Sequence, residues 1–118
     1  MRISIIIGLI LLLSTVLLVG CQSKIKEKNQ AADPSTLASC LTQKGWIVYG
    51  REFSEETQEQ KQLFGKYFDK INFVDCDLEL ETCFNTEYIK KYPTWIGPDG
   101  KRVEGVISLE KLEEESLC

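Results

Sequence analysis

Histidine is absent from all 118 residues. The chain therefore has no imidazole to titrate near neutrality, no His base to activate a serine or cysteine, and no His ligand for zinc. Paired Cys-x-x-Cys knuckles are missing as well. The usual zinc spacings are thus excluded, and neither a metal nor another cofactor is expected. An excess of positive charge is also lacking, since 18 Asp and Glu outnumber 14 Lys and Arg for a formal charge of -4. That balance argues against a nucleic-acid partner. Tandem repeats and low-complexity tracts do not occur beyond a short polar stretch near the N-terminus.

What is present begins with a leader. Met1 and Arg2 give a positive start, and Ile5 to Val19 is apolar except for Gly8, Ser14 and Thr15. Its end, Leu18-Val19-Gly20-Cys21, resembles the bacterial lipobox, in which a small residue precedes a cysteine that takes a diacylglyceryl group. Residues 1–20 are then a signal peptide, and Cys21 becomes the lipidated N-terminus, anchored in membrane lipid. The competing reading is an uncleaved anchor, although a spanning helix needs about 20 apolar residues. Either reading places the remainder in the cell envelope, outside the cytoplasm. Loss of Arg2 with the leader takes the formal charge from -4 to -5. Residues 21–34 then read as the lipidated cysteine and a solvated tether. Lys24, Lys26 and Lys28 are too few for a polybasic membrane patch.

The segment 35–118 has the length of one small domain, a size that is marginal without covalent help. With Cys21 assigned to lipid, Cys40, Cys76, Cys83 and Cys118 form an even set in an oxidising compartment, so two disulfides are expected. Four cysteines allow three pairings, and counting does not separate them.

Along this segment, Pro34-Ser35 opens an amphipathic helix carrying Leu37, Cys40 and Leu41 that ends at Lys44-Gly45. Trp46 to Gly50 has the bulky, β-branched composition of a buried strand. A helix follows from about Ser54 to Lys70. Ser54 caps it, Glu55 and Glu56 lie in its first turn, and Leu63, Phe64, Tyr67 and Phe68 form an apolar stripe. Ile71 to Cys76 alternates like a second strand, which makes a parallel βαβ unit. A short helix is expected near Cys83 to Lys91. Thr94 to Gly97 and Lys101 to Val106 then flank Pro98-Asp99-Gly100 as a hairpin, and Ser108 caps a closing helix with Leu109, Leu112 and Leu117.

In matching order, Val48-Tyr49-Gly50, Gln60 to Gly65, Phe73 to Cys76, Tyr92-Pro93-Thr94-Trp95 and Gly105 to Glu110 resemble a thioredoxin-like domain. The particular likeness is to the domain fused to or accompanying bacterial vitamin K epoxide reductase homologues, and it covers about Leu37 to Cys118. It implies an α/β fold with a central mixed sheet flanked by helices. In that family the strand ending Tyr-Gly leads to Cys-Pro-His-Cys at the next helix. Here Phe53 is followed by Ser54-Glu55-Glu56-Thr57, so hydroxyls stand where the attacking and resolving cysteines would be.

A hydroxyl cannot replace a thiolate in disulfide exchange, and Ser54 has no His to take its proton. No catalytic residue is therefore expected at Ser54 or Thr57. Pro93 matches the family's cis-proline, which implies a peptide-binding surface at Tyr92, Pro93 and Thr94. The resemblance also favours a disulfide between Cys76 and Cys83, with Cys40 joined to Cys118. In a chain-entropy model their loops contribute roughly 2.5 and roughly 4.5 kcal/mol respectively. The reading that follows is an accessory module that holds exported polypeptides or a membrane redox protein. The alternatives are a thiol-disulfide oxidoreductase working through Cys76 and Cys83, and a purely structural envelope protein.

Overall fold

The computed structural model describes residues 31–118. The leader expected over residues 1–20, the lipidation expected at Cys21 and most of the expected tether lie outside the described residues. Among the described residues no helix is long and apolar enough to cross a membrane.

Asp33 starts the fold by capping helix α1 (Pro34–Gln43), accepting the Thr36 backbone N–H at 2.8 Å and its hydroxyl at 2.6 Å. The Thr36 hydroxyl bond is the main cause holding the Asp33 carboxyl below its ordinary pKa. Pro34 occupies the first turn, where a missing N–H costs nothing. Lys44 closes the helix and Gly45, at φ +81°, reverses the chain into strand β1 (Ile47–Gly50). Ala32, just before the helix, is already buried in the core.

Helix α2 (Glu55–Phe64) is capped by the Ser54 side chain. The single helix expected to run on to Lys70 is instead broken at Gly65, whose φ of +55° ends α2 and starts a 3-10 turn over Gly65–Lys70. Thr42 Oγ1 pins that turn to α1 by donating to the Lys70 carbonyl at 2.6 Å. Strand β2 (Asn72–Asp75) then pairs in parallel with β1, with Val48 opposite Phe73 and Gly50 opposite Asp75.

The helix expected from Cys83 to Lys91 is a shorter, wider π-helical turn, Glu81–Thr86. It stops because Tyr88 takes a left-handed φ of +53°, which lets Ile89 fold back, donate its N–H to the Cys83 carbonyl and bury its side chain. Strands β3 (Thr94–Ile96) and β4 (Arg102–Glu104) form the hairpin, and helix α3 (Leu109–Ser116) is capped by Ser108. β3 runs antiparallel to both β1 and β4, giving the order β2-β1-β3-β4. This is an α/β thioredoxin-like fold, a mixed sheet flanked by helices.

Alternation along the strands sorts the core onto two faces. Val48 and its partner Trp95 face Leu37, Leu41, Phe64, Phe68 and Leu112 on the helical side. Tyr49 faces the other side with Cys76, Cys83 and Ile89. Polar residues are buried too, and Gln60 among them ties α2 to the segment entering α3. Gln60, only 1% exposed, donates its Nε2 to the Ile107 carbonyl at 3.1 Å and accepts the Ile107 N–H at 2.9 Å. Both backbone groups entering α3 are thereby satisfied by one side chain from α2.

Two disulfides close the molecule. Cys76–Cys83 (Cα–Cα 5.6 Å) ties the end of β2 to the π-helical turn, and Cys40–Cys118 (5.8 Å) ties α1 to the last residue. Lys44 Nζ supports the second by donating to the Ser116 and Leu117 carbonyls at 3.0 and 2.7 Å. A cation here complements the exposed carbonyls at the end of α3.

Candidate functional site

Gly50 ends β1 under tight steric control. A Cβ there would lie 2.8 Å from both Cγ2 and Oγ1 of Thr57 and 3.1 Å from Phe73, so only glycine lets α2 start this close to the sheet. The chain then passes through Arg51, Glu52 and Phe53 to the two hydroxyl residues. The Ser54 hydroxyl donates to Thr57 Oγ1 at 2.6 Å, and Ser54 Oγ accepts the Thr57 backbone N–H at 3.1 Å. Thr57 Oγ1 also accepts the Arg51 N–H at 3.2 Å. Ser54 is half-buried and Thr57 fully buried. Both hydroxyls are occupied in building the helix start, and among the described residues no base is hydrogen-bonded to either one. Chemically the pair is a cap.

Beside this cap lies Tyr92-Pro93-Thr94, with a cis Tyr92–Pro93 peptide bond. Pro93 and Thr94 are buried, and the Thr94 hydroxyl donates to the Lys91 carbonyl at 2.6 Å. The Pro93 carbonyl accepts the Gly105 N–H at 2.7 Å. Of the three residues assigned to peptide binding, only Tyr92 keeps a half-exposed side chain, and its backbone N–H and C=O make no backbone hydrogen bond among the described residues. A groove of about 440 Å³ runs past it, between Glu56, Lys90, Lys91, Glu104 and Val106.

An ion pair joins the cap to the neighbouring loop. Arg51 Nε and Nη2 reach Asp77 Oδ1 at 2.8 and 2.7 Å, and the guanidinium carbon sits 5.9 Å from the centre of the Tyr92 ring. The hydrogen bond to Asp77, followed by its charge, raises the Arg51 pKa. Next to it, Glu52 is held below its ordinary pKa chiefly by its hydrogen bond from Lys61. Gln58 Nε2 donates to the Glu52 carbonyl. Lys61 Nζ in turn lies 4.3 Å from the Phe73 ring centre. On the opposite face, burial and then Glu87 raise the Tyr49 phenol pKa.

Arg51 and Asp77 were not evident from sequence motifs, although a signal exists. Each lies just past the end of one of two strands paired in parallel, and the charges are opposite. Arg51, Phe53, Ser54 and Asp77 enclose a depression of about 170 Å³. Phe53, which lines it, is 92% exposed, and Leu78, next after Asp77 in the chain, is 81% exposed. Cys76 and Cys83, by contrast, are 1% and 0% exposed. Among the described residues no group of three or more His, Cys, Asp or Glu side chains is placed to hold a metal ion. No protein-family model matches the chain.

Proposed function

We propose that this chain is a lipid-anchored, extracytoplasmic thioredoxin-like accessory protein of the kind that accompanies bacterial vitamin K epoxide reductase homologues. In this reading it holds an exported polypeptide or a membrane redox protein without exchanging disulfides. The observation that carries the reading is the Ser54–Thr57 hydroxyl pair, bonded at 2.6 Å at the start of α2, beside Tyr92, whose backbone groups make no backbone hydrogen bond among the described residues. The site keeps a place for an extended segment and lacks a sulfur to attack it. Burial of Cys76 and Cys83 weighs against the oxidoreductase alternative, because exchange requires an incoming thiolate to reach a disulfide sulfur.

The purified protein is expected to reduce insulin no faster than a cysteine-alkylated control. Turnover above that control, abolished by Cys76→Ala or Cys83→Ala without loss of fold, would replace the accessory reading by the enzymatic one. Anchoring is tested separately. Cys21→Ser is expected to abolish metabolic labelling with a fatty acid and to release or mislocalise the chain, and unchanged labelling would refute the lipid assignment.

A further inference from the structure

The loop between Cys76 and Cys83 presents two leucines to solvent, Leu78 and Leu80, while carboxylates alternate with them at Asp77, Glu79 and Glu81. Their exposure is built in. The Cys76–Cys83 disulfide closes the base of the loop, the N–H groups of Leu78 and Glu79 both donate to the Asp75 carbonyl at 3.0 and 2.9 Å, and the Cys83 N–H donates to the Glu79 carbonyl at 3.0 Å. A loop bonded in this way presents its side chains with little ordering left to lose on binding. Phe53, which lines one depression with Arg51 and Asp77, is followed by Ser54 and then by Glu55 and Glu56.

The carboxylates decide what can cover these apolar side chains. Glu55, Glu56, Glu79 and Glu81 are exposed, and none forms an ion pair with a described residue. A neutral partner seated on Phe53 and Leu78 would strip water from these charges and return nothing. An anionic surface, whether acidic lipid or nucleic acid, would be repelled. A cationic segment pairs with the carboxylates while its apolar side chains cover Phe53, Leu78 and Leu80. The described residues as a whole carry 10 cations against 17 carboxylates, so longer-range attraction acts in the same direction.

We propose that the polypeptide held by this module is a segment alternating basic and apolar residues, docked across Phe53 and the Leu78–Leu80 loop. This rests on the holding role proposed above and specifies its ligand.

The test is fluorescence anisotropy with the full chain in nonionic detergent and short labelled peptides of alternating Lys-Leu, Lys-Ser, Glu-Leu and Asn-Leu. The Lys-Leu peptide is expected to bind, and the other three to bind at least about tenfold more weakly. The paired substitutions Leu78→Ser with Leu80→Ser, and Glu79→Gln with Glu81→Gln, are each expected to weaken Lys-Leu binding about tenfold while leaving the thermal midpoint near that of the unmodified protein.

Equal binding of Lys-Ser, or full binding by the leucine variant, would reduce the effect to charge adsorption and overturn the proposal. If Asn-Leu binds as well as Lys-Leu and Tyr92→Ala weakens both, the holding role stands and the cationic preference falls. If no peptide binds, both fall. Binding seen in detergent but lost in phosphatidylcholine nanodiscs would place this face on the bilayer and overturn the proposal in favour of a membrane contact.

Discussion

Gln60→Leu is expected to destabilise the protein by about 2–4 kcal/mol, although it exchanges one buried side chain for another of similar size and greater hydrophobicity. The Gln60 amide meets the Ile107 N–H and C=O at 2.9 and 3.1 Å, and Ile107 itself is buried. Leucine removes both partners at once and leaves a backbone donor and acceptor in the core with no route to water. For a domain of this size the loss corresponds to a drop in thermal midpoint of roughly 10–25 °C.

Gln60→Glu separates the two bonds. The carboxylate still accepts the Ile107 N–H but offers no donor to the carbonyl, and burial raises its pKa in the folded state. A group whose folded pKa lies above its unfolded value binds protons better when folded. This variant should therefore recover stability as pH falls, an effect absent from Gln60→Leu. Equilibrium urea unfolding across a pH series reads both effects. A loss below about 0.5 kcal/mol for Gln60→Leu would show that the paired amide contributes nothing beyond packing.

That residue also marks the limit of what periodicity reveals. Leu63, Phe64, Tyr67 and Phe68 read as an apolar stripe, yet Leu63 is 39% exposed and the buried positions of α2 are Thr57, Gln60 and Phe64. Extending back from Phe64 by four and seven residues lands on these two polar residues, so the spacing was legible. Their types were not, because a buried amide is rational only once Ile107 is known to need a partner. The strands and the hairpin were readable from composition and turn chemistry alone, since Val48, Phe73 and Trp95 announce a covered face and Pro98-Asp99-Gly100 a reversal. The segment after Cys83 was not readable. A left-handed Tyr88 breaks the helix there so that Ile89 can reach the second face of the sheet, and nothing local signals that need. Of the site, the cap at Ser54 follows from sequence, whereas the Arg51–Asp77 pair depends on the register of β1 against β2.

Restoring sulfur at the start of α2 should convert the module into a slow thiol-disulfide oxidoreductase. The double substitution Ser54→Cys with Thr57→Cys places the first thiol at a half-buried position and the second at a buried one, an arrangement suited to an attacking and a resolving sulfur. The two oxygens they replace are 2.6 Å apart, so the side chains already converge. Space is adequate at the inner position, because the cysteine lacks the Cγ2 methyl that Thr57 directs toward Gly50. The positive end of α2 would stabilise a thiolate at residue 54. Glu55 and Glu56 act against it, and the nearest guanidinium, Arg51, is already committed to Asp77. The nucleophilic thiol should therefore keep a pKa closer to that of an ordinary cysteine than one activated without adjacent carboxylates. Glu55→Gln with Glu56→Gln in the same background is expected to lower that pKa and raise the rate of insulin reduction at neutral pH. Thiolate absorbance near 240 nm, followed as a function of pH, measures the first effect and turnover the second. If the double-cysteine variant forms the new disulfide yet shows no turnover even after the two glutamates are neutralised, the surface around Tyr92 does not seat a substrate chain. The holding role would then lose its structural basis.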